Sequence, residues 1–424
     1  MSIKITKSMI VLKCFYAIYA LRKVWTFRVI SFLILTLIFD GCVETFEIPT
    51  ANEFQNVLIV EATITDVFGV QEIKLSRTGP LGSDELFPEL GASIQIRQGN
   101  GTAYAFLGTS SEIYRSEIPF AAEPGVSYVL EIQTQSGEVF SSSPQQLPRA
   151  STIALLEANS IVDEDRGEGV QIFLSSTAEG DEPQFYRYEY EEAYRIVAPQ
   201  WSSFETYVVT ENPPNVGIRR RQQEELICYG VSRSTEILQF TTEGLVSNAV
   251  IDFPLRFLEK RNPFIAHRYS ILVKQFSISP EAYRYYRTLR ELSGQGNLLS
   301  QQQPGFLPGN VIAEDGNIGD VSGYFCIASL SERRIFFDYD DFYDGVNILP
   351  AYPADCNDTF VAPVLVDEFG NSPLIEAVQN ESYEFLTRNA GFDSTQFGGY
   401  IMVPRICGDC TVLGSNVPPD FWVD

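Results

Sequence analysis

The chain is poor in histidine, in basic charge and in long apolar runs, and each shortage excludes a class of protein. A single histidine, His267, stands among 424 residues. That rules out a His-Glu-x-x-His metalloprotease helix or a His-rich metal centre, and leaves one candidate for a histidine-based triad. Thirty basic residues face 55 acidic ones, a net charge of −25, so a surface that tracks phosphates is missing and nucleic acid is not an expected partner. Neither a Gly-x-Ser-x-Gly elbow nor a phosphate-cradling Gly-x-x-x-x-Gly-Lys loop occurs. No catalytic motif and no cofactor are therefore expected. The abundance of carboxylates leaves a carboxylate-pair hydrolase open, because sequence does not say which pairs converge.

The one apolar run, Val29–Phe39, is too short for the roughly 20 residues of a spanning helix. Arg22, Lys23 and Arg28 precede it and Asp40-Gly41-Cys42 follows, the order of a secretory signal that ends in a lipid-accepting cysteine. We therefore expect a signal peptide at 1–41, lipidation at Cys42 and a tether at 42–55, with an uncleaved membrane anchor as the alternative. Residues 1–21 stand ahead of the basic region, so either the signal is long or translation starts further in. Cleavage before Cys42 removes six basic residues and one acidic one and takes the net charge to −30. So acidic a surface repels anionic headgroups, and membrane contact is expected through the lipid alone.

What is plentiful is aromatic, glycine and proline: 30 Phe, 21 Tyr, 30 Gly and 23 Pro. From residue 56 the pattern is strand, turn, strand. Val57–Thr65, Val70–Ser76, Gly91–Arg97, Ala103–Leu107, Ile113–Ser116 and Ser127–Gln133 are rich in β-branched and aromatic residues or alternate apolar with polar, with turn residues between. Six or seven strands at that spacing predict an immunoglobulin-like β-sandwich over 56–149. Ser142–Pro148 reads as a linker, and a larger β-rich domain with one or two helices is expected over 150–424. Within it Gly169–Leu174, Phe185–Glu191 and Tyr269–Phe276 read as strands, the second with one buried and one wet face. Ser279–Leu292 predicts a helix: Ser279 caps it, Pro280 takes the first position, Glu281 meets the positive end of the dipole and Gly294 ends it. Strands resume near Val321 and Arg334.

With Cys14 in the signal and Cys42 lipidated, Cys228, Cys356, Cys407 and Cys410 are the disulfide candidates, since an exported chain meets oxidising conditions. A redox Cys-x-x-Cys pair would need a strand-to-helix context, which the loop-like residues after Cys410 do not supply. A structural zinc would lack a second close pair. A bridge from Cys356 into the cluster closes a loop of about 50 residues, for which chain entropy suggests roughly 4 kcal/mol at most. Cys326, in an apolar run, is expected as an inert buried thiol.

Asp338, Asp340 and Asp344 are weak calcium candidates, because Phe342 falls where a ligand is needed. Trp201, Phe204 and Tyr207 offer a sugar-stacking surface or, more simply, core packing. Arg219-Arg220-Arg221 reads as an exposed loop facing Glu224 and Glu225, and the Asp420–Asp424 end as a segment that docks back on its own domain.

Several of these segments occur together in a known family. Leu58–Ala62 behind the lipid-accepting cysteine, Leu272–Ser279 with its tyrosine-rich helix, Gly309-Asn310-Val311, Gly323-Tyr324-Phe325, Cys407–Thr411 and Asn416–Trp422 resemble the Bacteroidetes envelope lipoproteins grouped as domain of unknown function 4249. Gly414-Ser415 replaces the two glycines common before the Asn. The resemblance implies a lipid-anchored outer-membrane protein, often considered beside TonB-dependent transporters, and supplies no catalytic residues. The expected function is an accessory or ligand-binding subunit with a membrane contact and a transporter partner. The alternative is a structural or adhesive envelope protein. Ligand and leaflet are not read from the sequence.

Overall fold

The computed structural model describes residues 57–79, 85–294, 307–314, 321–345, 349–357, 359–389 and 398–424. The expected signal, Cys14, Cys42 and the tether lie outside them. The N-terminal alternation produces β1 (Leu58–Thr65), β2 (Glu72–Thr78), β3 (Leu86–Pro88), β4 (Ser93–Gln98), β5 (Ala103–Gly108), β6 (Ile113–Ser116), β7 (Ser127–Gln133), β8 (Val139–Ser142) and β9 (Gln145–Gln146). Three short strands, β3, β8 and β9, add to the six named from the sequence, and β9 falls inside the stretch read as a linker. Because side chains alternate across a strand, Leu58, Val60, Ala62 and Ile64 of β1 face the same core as Ile94, Ile96, Leu130 and Ile132.

The chain continues through β10 (Ser151–Asp163), β11 (Gly167–Ala178), β12 (Phe185–Val197), β13 (Phe204–Thr210), β14 (Asn215–Arg220), β15 (Ile227–Arg233), β16 (Leu238–Thr241), β17 (Val250–Glu259) and β18 (Tyr269–Ser277). Then come α1 (Pro280–Gly294), β19 (Val311–Ala313), β20 (Val321–Phe337), α2 (Asp340–Tyr343), α3 (Pro373–Gln379), β21 (Tyr383–Arg388), β22 (Tyr400–Pro404) and α4 (Arg405–Gly408). The molecule is mainly β, as expected. The helix α1 begins where its signals place it, with Ser279 Oγ accepting from the Ala282 amide at 3.1 Å. Of the other α-helices among the described residues, only α3 exceeds one turn.

One sheet runs β15-β12-β18-β20-β1-β2-β6-β5-β4-β7-β8-β19. Its continuity depends on β20, a 17-residue strand where two separate strands were expected. Residues 321–328 pair parallel with β1, and 329–337 pair antiparallel with β18. The change of partner falls where Asp66 accepts hydrogen bonds from Ser329 Oγ (2.6 Å) and the Leu330 amide (2.9 Å). Val311, Ala313, Val321, Phe325 and Ile327 join the core of the first nine strands. The sandwich is thus completed by residues far beyond 149.

Two of the recurring segments meet here. Gly323 has φ +120°, and a Cβ on it would lie 2.0 Å from Val60 O. A Cβ on Gly309 would lie 1.5 Å from Gly323 O, so only glycine lets the three backbones approach. Between them the Asn310 side chain donates to Phe325 O and accepts from Phe325 N, both at 2.8 Å, standing in for a neighbouring strand.

A second sheet, β10-β11-β17, covers a second core in which Tyr186 and Tyr188 of β12 pack with Tyr269, Ile271 and Val273 of β18. A third cluster seats α1 through Ala282 against Phe276, Tyr324 and Cys326. The C-terminal part is held by two disulfides, Cys228–Cys410 and Cys356–Cys407.

Candidate functional site: a tyrosine-lined cleft with a stacked arginine

The faces that these strands turn away from their cores enclose an open cleft of about 710 Å³, within the roughly 300–1,000 Å³ range of small-molecule sites. Period-two alternation decides its lining. On β1 the core takes Val60 and Ala62, so Glu61 and Thr63 face the cleft; on β12 the second core takes Tyr186 and Tyr188, so Arg187 and Glu189 do. Tyr285, Tyr286 and Leu289 come from α1, Tyr324 from β20, and Glu236 from the turn between β15 and β16.

Arg187 is the unusual group. Its side chain is only 15% exposed, and its guanidinium carbon lies 4.8 Å from the Phe276 ring centroid and 4.7 Å from that of Tyr286. Stacking on ring faces uses the charge but none of the N–H donors. Nη1 is 3.0 Å from Glu189 Oε1, while Nε is enclosed with no acceptor among the described residues. Burial works against the charge, but Tyr286, Glu189, Cys326 and Glu61 outweigh it and raise the pKa, so the group stays cationic.

The surrounding hydroxyls stay protonated. Burial pushes Tyr286 up to about 12, with Arg187 pulling the other way, and burial likewise takes Tyr324 to about 12. Behind them burial pushes the Cys326 thiol up to about 12, which makes it an inert core group and not a nucleophile. The cleft holds anchored charge and aromatic surface, the equipment of a binding site.

The residues singled out from sequence lie elsewhere. The four cysteines form the two C-terminal disulfides, and Trp201 packs in the cluster that contains Cys228 and Cys410. Phe204 is 40% exposed, and Tyr207 sits under Arg219 at 5.2 Å. The calcium candidates take separate places. Asp338 Oδ2 pairs with Arg268 Nη1 at 2.5 Å, Asp340 opens α2 and Asp344 follows it. Among the described residues no three His, Cys, Asp or Glu side chains converge to hold a metal. The acidic run folds this way because Phe342 and Tyr343 pack inward with Phe337 and Tyr339.

The triple arginine is part strand and part loop, exposed at Arg219 and Arg220 and facing Glu225 as expected at Arg221. Arg219 and Arg220 end β14, and Arg221, 5% exposed, bridges Glu225 and Glu384. The terminal segment docks on its own domain: Trp422 contacts Tyr229 and Phe336, and Arg334 lies 3.4 Å from the Phe421 ring centroid. His267 lines a smaller, largely apolar cavity of about 290 Å³ with Tyr194, Pro263 and Tyr352.

The stacked arginine was not found from sequence. Its signal was there, in the alternation of aromatics with Arg and Glu along β12, but the side read as facing water faces the cleft.

Comparison with known families places the chain in a class without an assigned activity. Residues 43–334, more than half of the chain, match the model described as Domain of unknown function (DUF4249), and the protein belongs to that family. The matched span contains the sandwich, Arg187, α1 and most of β20, and stops short of the Cys407–Trp422 ending. No curated protein matches the chain. Among solved structures, a biofilm associated protein B domain is similar over 69% of this chain and 88% of its own, at 9% identity and with a TM-score of 0.12, too low to speak for a shared fold.

Proposed function

We propose that the protein is an outer-membrane lipoprotein, held by a lipid on Cys42, that serves as a ligand-binding accessory subunit beside a TonB-dependent transporter. The observation that carries the binding reading is the cleft with its stacked, under-bonded Arg187. Arg187 Nε is one of several enclosed side-chain atoms without a partner among the described residues, and it is the charged one that lines this cleft. The family and the apolar run before Cys42 support the envelope setting. No helix among the described residues is long and apolar enough to cross a membrane.

One observation favours the alternative, a structural or adhesive envelope protein. Phe68 is 75% exposed, with Val67, Val70 and Ile118 also exposed beside it where Gly69 bridges to Phe120, and such apolar patches mark contact surfaces.

A mild-detergent pull-down of the tagged lipoprotein from its native membrane, read by mass spectrometry, tests the proposal. A stoichiometric TonB-dependent transporter is the expected companion, and Cys42→Ala should abolish membrane recovery. Recovery of the lipoprotein alone, in a detergent that preserves other envelope complexes, would overturn the accessory role and put the structural reading first.

A further inference from the structure

We infer that the cleft takes a small amphoteric molecule, a free amino acid or a short peptide with unblocked ends, whose carboxylate meets Arg187 and whose ammonium meets the carboxylates of the rim. This rests on reading the cleft as a ligand site.

The sign of the ligand follows from which charges are already used. Phe276 and Tyr286 occupy the π-facing contacts of the guanidinium, Glu189 meets only Nη1 and Nε is enclosed, so among the described residues Nη2 and the remaining N–H of Nη1 are the donors left for a ligand. A guanidinium presents five donors in a rigid plane, and a planar carboxylate is the group that accepts two of them in parallel. A lone positive site would also suit phosphate or sulfate, but the cleft is not simply positive. Glu61, Glu72, Glu189 and Glu236 line it against Lys74, Lys274 and Arg187.

Two of those acids are committed: Glu72 pairs with Arg115 at 2.8 Å and Glu189 with Arg187 at 3.0 Å. Lys274 pairs in turn with Glu332 at 3.5 Å. Glu61 and Glu236 have no ion-pair partner among the described residues. A multiply charged anion meets four carboxylates, and a neutral sugar leaves the arginine as poorly bonded as before. A molecule carrying one charge of each sign complements both, and Tyr285, Tyr324 and Leu289 offer its body a semi-apolar wall. The volume accommodates a few residues of peptide.

The test uses the full lipoprotein in mild detergent and four probes: a pool of tripeptides with free ends, the same pool amidated at the C-terminus, the same pool acetylated at the N-terminus, and a pool of neutral oligosaccharides. Retention is read by equilibrium dialysis with mass spectrometry, and thermal shift confirms it. The free pool should be retained, and amidation should weaken it roughly 10- to 100-fold, the loss expected for a hydrogen-bonded charge. In Arg187→Gln the free and amidated pools should bind alike. Glu236 is on the exposed rim, so Glu236→Gln tests the other end without touching the core: it should weaken the free pool and leave the acetylated pool unchanged.

Equal binding of free and amidated pools to the unmodified protein would overturn the inference. Retention of oligosaccharides and no peptide would also overturn it while leaving the ligand cleft in place. Retention of no pool overturns it as well, and the transporter pull-down then decides separately whether the accessory role survives.

Discussion

Substituting Gly323 by alanine tests the claim that β20 ties the sandwich to the rest of the molecule through three backbones in contact. The structure allows the cost to be built in two parts. Gly323 has φ +120°, a region that strains any L side chain by about 1–3 kcal/mol. In addition, a methyl would stand 2.0 Å from Val60 O, and the obstacle is a strand carbonyl inside the parallel ladder that joins Leu58–Thr65 to Val321–Ala328. Moving β20 away stretches two or three ladder hydrogen bonds at about 1 kcal/mol each. The total is about 4 kcal/mol, at the upper end of what single substitutions do. Gly125 supplies the control, with φ +74° but nothing within 4 Å of its would-be Cβ; Gly125→Ala should cost about 1 kcal/mol. Denaturant titration of the purified lipoprotein, followed by tyrosine fluorescence and circular dichroism, gives both values from midpoint shifts at a common slope. If Gly323→Ala costs no more than Gly125→Ala, the close approach of β1 and β20 is wrong.

Three further outcomes follow from the same structure. Removing Cys228–Cys410 as a double alanine variant should destabilise more than removing Cys356–Cys407, because the sequence separations are 182 and 51; loop entropy suggests about 5 against about 4 kcal/mol as upper values, and a reversed order in thermal unfolding would contradict the chain-entropy account. At pH 8 the folded protein should label at Cys326 about a thousandfold more slowly than an ordinary thiol, since burial takes that group to about 12; rapid labelling without denaturant would refute its burial. His267 is held below its usual 6.5 by burial first and by the Arg195 charge second, with Asp338 opposing. The folded state therefore binds its proton more weakly than the unfolded state, so this contribution to stability is complete above pH 6.5 and is lost as pH falls from 6.5 through the lowered folded value. As the chain has one histidine, its NMR titration is unambiguous: a midpoint at or above 6.5 would refute the assignment, and His267→Gln should flatten the melting temperature between pH 7 and 5.

What could be read ahead of the structure was whatever a short window determines. The alternation of β1, β4, β7 and β18 is local and survives in the fold, and so are the cap and stop of α1. The four disulfide cysteines were identifiable as a set, because export and elimination single them out, but pairing is a matter of where β15 lies relative to the last turn, which no window contains. The strand β20 was read as two because Ser329, Ser331, Glu332, Arg333 and Arg334 interrupt its apolar run. The interruption marks a change of partner: the apolar half is covered on both faces, and the polar half pairs with β18 and keeps Glu332 and Arg333 exposed. The burial of Arg221, and of the aromatics in the acidic run, escaped the sequence reading for a related reason. Charge suggested solvent, whereas Arg221 had Glu384 waiting from another element and the aromatics among the aspartates had a core to fill.

The cleft lies at the far end of this scale. Alternation along β12 states correctly that Arg187 and Glu189 do not share the core of Tyr186 and Tyr188. Alternation is silent on what the opposite face meets, and on a strand at the middle of a sheet that face need not meet water. Here α1 and the outer side of β1 flank it: α1 brings Tyr286 onto the guanidinium, and the neighbouring strand β18 brings Phe276, which pairs directly across from Arg187, both from parts of the chain remote in sequence. A polar face on a central strand is thus the sequence-level trace of an internal polar site. The same reasoning applied to β18 points to the same place, because Lys274 alternates with Val273 and Gln275 and also lines the cleft. Two central strands that turn charged residues to one side, under a helix rich in tyrosine, already narrow the position of a binding site before any long-range contact is known.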